Sequence, residues 1–385
     1  MRIVIVGAGA VGFNLAAELS KEGYDVAVIE KNPRLIKRLK DKLDVQTVLG
    51  SGTEVNALKE AGIEDAQFLI AVTNIDEVNQ VACMMANTFK VPRKIARIRN
   101  KDFTGKEPII SKREFHINRI INPDEITIDY ILKIMETPGA SDAGDFASGE
   151  ILLRGFNITG EEGIHDQPLY ALKEKYSEYP FLIVAIHRDE DIIIPTGTDV
   201  LKPGDTVYLI MTRDVFPLIR KLLPKGKDKT EKAVISGAGR IGLELALRLE
   251  QSVDSVVLVD EDKDLCLNAS KLLKKGLVVK GDLMDDRVAQ EIHLSSADFF
   301  IAAREDDQKN LIDAMMAKKW GLERTAIITQ DPDIVPILGS LDLDVVVNAR
   351  LLTVGEILRF VKPGKVLSVK KIGDSAAEII EVVVG

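Results

Sequence analysis

Short, unbroken apolar runs alternate with amphipathic stretches along the first part of the chain. The runs fall at residues 2–6, 25–30, 45–49, 68–73, 94–98 and 119–122. Most lack the polar alternation of a half-exposed strand, so they suit strands buried on both faces, as in a parallel sheet. Between the first two runs, Val11, Leu15 and Leu19 recur every four positions, and Gly23 follows. That spacing predicts a helix over 11–22 with a glycine stop. Strand, helix, strand in this order predicts βαβ units and a doubly wound parallel sheet. A further helix is predicted over 124–136, where Ile128, Ile131 and Leu132 form an apolar stripe ending at Met135. The stripe either covers its own sheet or serves as a hinge or a contact with a partner.

The whole pattern then returns. VIVGAGAVG at 4–12 reappears as VISGAGRIG at 234–242, a shift of 230 (234 minus 4). At that shift Glu30 meets Asp260. At a shift of 231, Gly50 meets Gly281, Asn79 meets Asn310, and FLIAVTNIDEVNQVACMMA (68–86) meets FFIAAREDDQKNLIDAMMA (299–317). RIINPDEITIDYILKI (119–134) answers VVVNARLLTVGEILRF (345–360). A register kept over more than a hundred residues is an internal duplication. Residues 1–136 and 233–362 are therefore expected to be two Rossmann-like lobes. The turn-rich TPGASDAGDFASG (137–149) is read as a linker, 150–224 as a small α+β lobe, and the charged KGKDKTEK (225–232) as a second linker. KPGD (202–205) has the chemistry of a hairpin turn. Residues 363–385 are read as a linker and the first strand of a second small lobe. The chain stops there, as a shortened chain or fragment would, and a lone strand must add to another sheet or fray.

Composition narrows the picture. With 46% hydrophobic and 29% charged residues, the 385-residue chain is expected to fold as a soluble globular protein of several domains. No apolar run approaches the ~18 residues of a membrane span. Met1-Arg2 leads straight into IVIV, so no signal peptide is expected. Cys83 and Cys266 lie in helix-like patterns and read as buried thiols in a reducing cytosol. The Met84-Met85 pair, echoed by Met315-Met316, reads as helix core. A net charge of −9 argues against nucleic acid as a general partner but leaves room for a local basic patch.

The glycine stretch carries the chemistry. It follows a strand, opens a helix, and is trailed by an acid at the end of the second strand, the context of a dinucleotide-binding loop. Gly7 permits the tight turn, Gly9 lets the backbone approach a pyrophosphate, and Gly12 lets helix and strand pack closely. Free N–H groups at the helix start favour phosphate charge. Glu30 accepts hydrogen bonds from ribose hydroxyls and repels a 2′-phosphate, which favours NAD over NADP; Lys31 beside it weakens that preference. An empty vestigial turn is the alternative. In the second copy Gly237, Gly239, Gly242 and Asp260 keep the fingerprint. Around it Thr73 and Asn74 become Arg304 and Glu305, and Arg97 is aligned with Ile327. The second copy is expected to bind a different nucleotide, to bind more weakly, or to be vestigial. Arg97, amid apolar neighbours, needs a partner: a ligand phosphate or an internal carboxylate.

Catalytic groups are not recognisable. His116, His165, His187 and His293 stand in no catalytic setting, no Tyr-x-x-x-Lys pair occurs, and no cysteine–histidine set has zinc spacing. Two nucleotide folds without visible chemistry suit a sensor. An NAD-dependent oxidoreductase with an unrecognised catalytic residue, and a scaffold with dead sites, stay open.

MRIVIVGAGAVG, the Glu30 strand end, AVTNIDEVNQVACMMA, ARIR (96–99), INPDE (121–125), KPGD and the tandem arrangement together resemble the TrkA family, built from RCK (KTN) domains. The resemblance covers nearly the whole chain and departs from the family in lacking most of a second C-terminal lobe. It implies RCK N-lobes and one C-lobe, and a cytosolic, non-enzymatic regulatory subunit of a Trk-type potassium-uptake system. It also implies NAD(H) as ligand, with ATP or ADP as further candidates. The implied partners are a membrane potassium-conducting subunit and further copies of the chain, as a dimer or tetrameric ring, at the inner face of the membrane. Carried over by position, the first site is Gly7, Ala8, Gly9, Ala10, Val11, Gly12, Glu30, Thr73, Asn74 and Arg97. The second is Gly237, Ala238, Gly239, Arg240, Ile241, Gly242, Asp260 and Arg304.

Overall fold

The computed structural model describes residues 1–104, 112–161, 164–189, 191–223, 229–339, 341, 343–362, 366–372 and 377–382. In chain order the strands are β1 Arg2–Val6, β2 Asp25–Glu30, β3 Gln46–Leu49, β4 Phe68–Ala71, β5 Arg93–Arg97 and β6 Arg119–Ile121. Then come β7 Ala140–Phe146, β8 Ile151–Asn157, β9 Phe181–Arg188, β10 Asp191–Ile193 and β11 Thr206–Thr212. The last are β12 Lys232–Ser236, β13 Ser255–Asp260, β14 Leu277–Lys280, β15 Phe299–Ala302, β16 Thr325–Thr329, β17 Val345–Asn348, β18 Val366–Ile372 and β19 Ala377–Val382. The longer helices are α1 Ala10–Lys21, α2 Pro33–Lys42, α3 Asp76–Thr88, α4 Pro123–Met135, α5 Arg240–Leu249, α6 Lys263–Leu272, α7 Asp307–Lys319 and α8 Ala349–Val361.

Two units emerge, and neither is a contiguous half of the chain. The first comprises 1–126 with 349–362. Its six parallel strands run in the order β3-β2-β1-β4-β5-β6, the doubly wound arrangement that the apolar runs predict. Ile3, Ile5, Val26, Val28, Phe68 and Ile70 fill one face of the sheet together with Val11, Leu15 and Leu19 of α1. Val354, Ile357, Leu358 and Val361 of α8, from the far end of the sequence, join this same cluster. Arg119 pairs with Glu356 at 3.0 Å and stacks over Phe360, and Lys362 reaches Glu22 at 3.4 Å. The other face carries Val4, Val6, Leu69 and Ala96 against Ala82, Cys83 and Ala86 of α3.

The second unit comprises 127–348 with 363–385. Its parallel sheet, β14-β13-β12-β15-β16-β17, repeats the order of the first. These are two Rossmann-like domains. Here the helix from elsewhere in sequence is α4, whose Asp129 meets Arg248 of α5 at 2.7 Å. Its apolar stripe is buried at Ile128, Ile131 and Met135, Ile134 is buried as well, and Leu132 is half-buried.

The same unit holds an antiparallel sheet, β10-β9-β11-β8-β7. One of its faces packs on the short helix Leu169–Lys175 and on Val215, Ile219 and Leu222. The stretch read as a linker, 137–149, forms β7 instead. Its small residues let it lie along β8, and Gly144 accommodates the Lys370 side chain. The final strand does not fray: β19 pairs with β18 as a hairpin, and Ile372, Ala377 and Ile379 cover the second face of the small sheet at Phe146, Leu153 and Tyr208. Lys370 and Tyr130 both bond Asp142 at 2.5 Å. KPGD does form the tight turn, and its Asp205 is buried in a two-pronged pair with Arg188, both contacts 2.7 Å. Of the stretch read as a charged linker, 225–232, residues 225–228 lie outside the described residues and Lys232 already opens β12. Among the described residues no helix is long and apolar enough to cross a membrane.

Both cysteines are buried and free, and burial pushes the Cys83 thiol up to about 12. The methionine pairs are only half core. Met85 packs on the cluster behind β4, whereas Met84 and Met315 point outward, because consecutive helical residues lie 100° apart.

Candidate functional site

In the first unit, β1 ends in a loop whose geometry is dictated by its glycines. Gly7 adopts φ +102°, a left-handed conformation that disfavours a side chain, and lies against Thr73. A Cβ on Gly12 would sit 1.9 Å from the Gly7 carbonyl oxygen, so α1 can approach the strand only with glycine there. Gly9 caps α1 with no side chain accepting from the helix, and a Cβ there would meet nothing within 4 Å. The amides of the first helical turn, at Ala10, Val11 and Gly12, have no partner in a preceding turn of the helix. Ala8 and Val11 are buried, while Gly9 is exposed and Ala10 half-exposed, so the loop offers backbone outward and side chains inward.

Glu30 closes the crevice from β2. Its Oε2 accepts from the Ala8 amide at 2.7 Å and its Oε1 from the Asn32 amide at 2.8 Å. The carboxylate is thereby tied to the same loop that opens α1. Thr73 follows β4, and its carbonyl accepts from Arg97 Nη1 at 2.9 Å. Arg97 is buried at the end of β5. Asn74 is exposed on the loop beyond Thr73. Glycine loop, Glu30, Thr73 and Arg97 thus converge at the carboxyl ends of β1, β2, β4 and β5. This is where the strand order reverses around β1, the point at which open α/β sheets take ligands.

Residues that the sequence reading did not single out hold this edge together. Asn79, fully buried on α3, accepts from the Thr73 amide and hydroxyl and donates to the Thr73 and Arg97 carbonyls, at 2.7–3.1 Å. Asp76 accepts from the Arg99 and Asn100 amides. Their recurrence in the duplication as Asn310 and Asp307 was the available signal. Asn310 bonds the Arg304 amide and the Arg304 and Ile328 carbonyls, and Asp307 accepts from the amides of Gln330 and Asp331.

The second crevice shares the frame and differs inside. Gly237 has φ +105°, and a Cβ on Gly242 would fall 1.8 Å from the Gly237 carbonyl oxygen. Asp260 Oδ2 accepts from the Ala238 amide at 2.6 Å, and Oδ1 from Asp262. The position of Arg97 is taken by Ile328, one residue later than the alignment with Ile327, because Ala96 and Ile327 hold equivalent places in the two sheets. Arg304, in the place of Thr73, turns into the lobe. Its Nε donates to Asp313 Oδ2 at 2.7 Å and to the Ser236 hydroxyl at 3.0 Å. Its Nη1 lies 3.2 Å from Glu261 and 3.8 Å from Asp260. Nη2 is buried with no partner among the described residues. Burial alone lowers the Arg304 pKa, but the carboxylates of Asp313, Asp260 and Glu261 outweigh it and raise the pKa above the ordinary value. Burial raises the Asp313 carboxyl, opposed by Ser236 and Arg304. Arg240 is largely exposed at the start of α5, 3.6 Å from Glu305, and Ile241 beside it is half-buried. Among the described residues no cluster of three His, Cys, Asp or Glu could hold a metal.

Comparison with known proteins places this geometry. Residues 3–123 and 233–349 each match the TrkA-N domain family, and residues 154–223 match the TrkA-C domain family. The Trk system potassium uptake protein TrkA of Halomonas elongata is 31% identical over 384 residues, covering 100% of this chain and 84% of its own length. The chain belongs to the TrkA family. A Methanosarcina mazei protein named Trk system potassium uptake protein trkA homolog 1 is 28% identical, with 99% of this chain and 94% of that protein covered. Among solved structures, the GsuK channel bound to NAD superposes with a TM-score of 0.67 at 18% identity, over 93% of this chain and 63% of that one. GsuK bound to ADP gives 0.57 at 14% identity, over 94% and 69%. At such identities the likeness is one of fold, and the fold is that of RCK domains.

Proposed function

We propose that this chain is the nucleotide-sensing regulatory component of a Trk-type potassium-uptake system, acting by binding rather than by turnover. NAD(H) binds the first crevice, its pyrophosphate on the amides of Gly9 to Val11, its ribose hydroxyls on Glu30 and its remaining phosphate charge near Arg97. The observation that carries this reading is the junction of Glu30 with the Ala8 amide at the opening of α1. It sets an acceptor for ribose beside a helix N-terminus that faces solvent. The GsuK structures with NAD and with ADP support both nucleotide classes as ligands. The second crevice, with its paired Arg304, binds a nucleotide more weakly or of another kind.

The route from ligand to output starts in α1. The helix that receives the phosphate buries Val11, Leu15 and Leu19 against Val354, Ile357 and Leu358 of α8. A shift of α1 on binding is therefore felt by a helix that lies more than 300 residues away in sequence (349 minus 21). Ligand biases a conformational equilibrium only by its differential affinity for two states, typically ~1–3 kcal/mol per regulatory site. Copies assembled as a dimer or ring on a membrane potassium-conducting subunit, at the inner face of the membrane, sum that bias into gating.

Calorimetry with NADH, NAD, ATP and ADP tests the reading. NADH is expected to bind at micromolar levels, Glu30→Arg to weaken it at least about tenfold, and absorbance at 340 nm to stay constant in the presence of candidate substrates. Indifference to every nucleotide, or hydride turnover, would overturn it.

A further inference from the structure

The two copies differ most in charge at the helix that follows the ribose-binding acid. In the first copy, Lys31 and α2 expose Lys31, Arg34, Lys37, Arg38, Lys40 and Lys42 against a single acid, Asp41. Ile36 and Leu39 point into the core, and Asn32 caps the helix by accepting from the Arg34 amide. Among the described residues no ion pair engages Lys31, Arg34, Lys37, Lys40 or Lys42, and Arg38 lies over the Phe13 ring at 4.4 Å. The second copy builds the same helix, α6, with Asp262 as its cap. Aligned on the caps, the six cations become Glu261, Asp264, Leu267, Asn268, Ser270 and Leu272. None is kept, so the fold does not require them. Holding six like charges within about 15 Å of helix is unfavourable unless something outside the lobe answers it.

We infer that the exposed face of α2 docks on an anionic bilayer surface. A protein interface is built around buried aromatic or aliphatic anchors. This face offers none: its apolar residues, Leu35, Ile36 and Leu39, turn inward and pack in the core. What remains is long, flexible, unpaired cations on one side of a helix, the pattern that answers the diffuse negative potential of anionic lipid headgroups. A net charge of −9 for the whole chain makes the patch a local exception, so it also orients the chain, with this face toward the lipid. The inference stands apart from the nucleotide assignment, since none of Arg34, Lys37 and Lys40 belongs to the proposed ligand site.

Co-sedimentation of the full chain with vesicles tests it. Vesicles of phosphatidylcholine with about one third phosphatidylglycerol are expected to capture the protein at about 0.1 M salt and release it as salt rises. Pure phosphatidylcholine vesicles are expected to leave it in solution. At about 1 kcal/mol per basic residue, each cation removed costs about fivefold in partitioning. The triple substitution Arg34→Gln, Lys37→Gln, Lys40→Gln is therefore expected to lose about a hundredfold, with NADH binding unchanged as the check on folding. Equal capture by neutral vesicles, or full capture of the triple variant, overturns the inference. So does binding to a polyglutamate peptide with indifference to anionic vesicles, which would make the occupant an acidic protein segment.

Discussion

At the same point of the same fold the two crevices solve opposite problems. The first surrounds its switch point with Val6, Ala82 and Thr73 and brings a guanidinium from β5, Arg97. The second has Ser236, Asp313 and Arg304 in the first three places and Ile328 in the fourth. A buried guanidinium must find negative charge or oxygen. Arg97 reaches the crevice and donates to the carbonyl of the very loop that lines it. Arg304 has its acid supplied from within, on α7, and a hydroxyl from β12. Duplication kept the frame and moved the guanidinium from the end of the fifth strand to the loop after the fourth, and in the second crevice its counter-ion comes from within the lobe.

The largest effect is expected from breaking the internal pair. Arg304→Thr, which imposes the first crevice's residue on the second, strands Asp313, whose side chain is only 4% exposed. Removing one partner of a buried pair typically costs about 3–5 kcal/mol. The denaturation midpoint should fall accordingly, and Asp313→Ala in the same background should recover most of the loss by removing the orphaned charge. A double variant as unstable as the single one would show that Arg304 stabilises through packing, and the contrast between the lobes would reduce to shape.

A smaller and equal effect is expected from the part the lobes share. Asn79→Ala and Asn310→Ala each leave a loop amide and two carbonyls without their side-chain partner in a fully buried place. A buried group left unsatisfied costs about 1–3 kcal/mol. Matching losses, read by chemical denaturation, would identify one clamp used twice. A loss confined to one lobe would show that the duplication preserved the residue without its role.

The parallel sheets and the acid that ends the second strand were legible because each rests on local rules: unbroken apolar runs, a glycine-opened helix, an acid at a strand end. The strand starts at Arg2, Asp25 and Phe68 fall within the predicted runs. What local pattern could not carry was pairing at a distance. Residues 137–149 read as linker because alanine, glycine, serine and aspartate are turn formers, yet β8 and the β18–β19 hairpin give them a sheet to join. The stripe on α4 was visible, but not that α8 would bury its own stripe in the first unit. Arg304 was marked as a change of ligand chemistry, when half of its meaning lay in Asp313, a residue that looks like surface charge until α7 turns it inward. Asn79 looked like one more matched letter in an alignment, since nothing in a single helix tells which asparagine will bridge two strand ends.

The smallest expected effect on stability is also the sharpest test of which crevice holds the ligand. Gly9 and Gly239 have extended backbones, with φ −60° and −67°, that any residue adopts, and a Cβ on either meets no atom within 4 Å. Alanine at either place should shift stability by no more than about 0.5 kcal/mol. Gly12 stands in contrast, since its Cβ would collide with the Gly7 carbonyl whether or not a ligand is present. The methyl group of Gly9→Ala would occupy only the space that a pyrophosphate needs, so NADH affinity should fall at least about tenfold while the folded state is untouched. Gly239→Ala places the same methyl group beside a loop whose acid is shared with Arg304, and its effect on NADH should be far smaller if the first crevice is the principal site. Calorimetry on the two variants separates the crevices without disturbing either fold: a larger loss at Gly239 than at Gly9 would reverse the assignment and make the internally paired crevice the one that senses the dinucleotide.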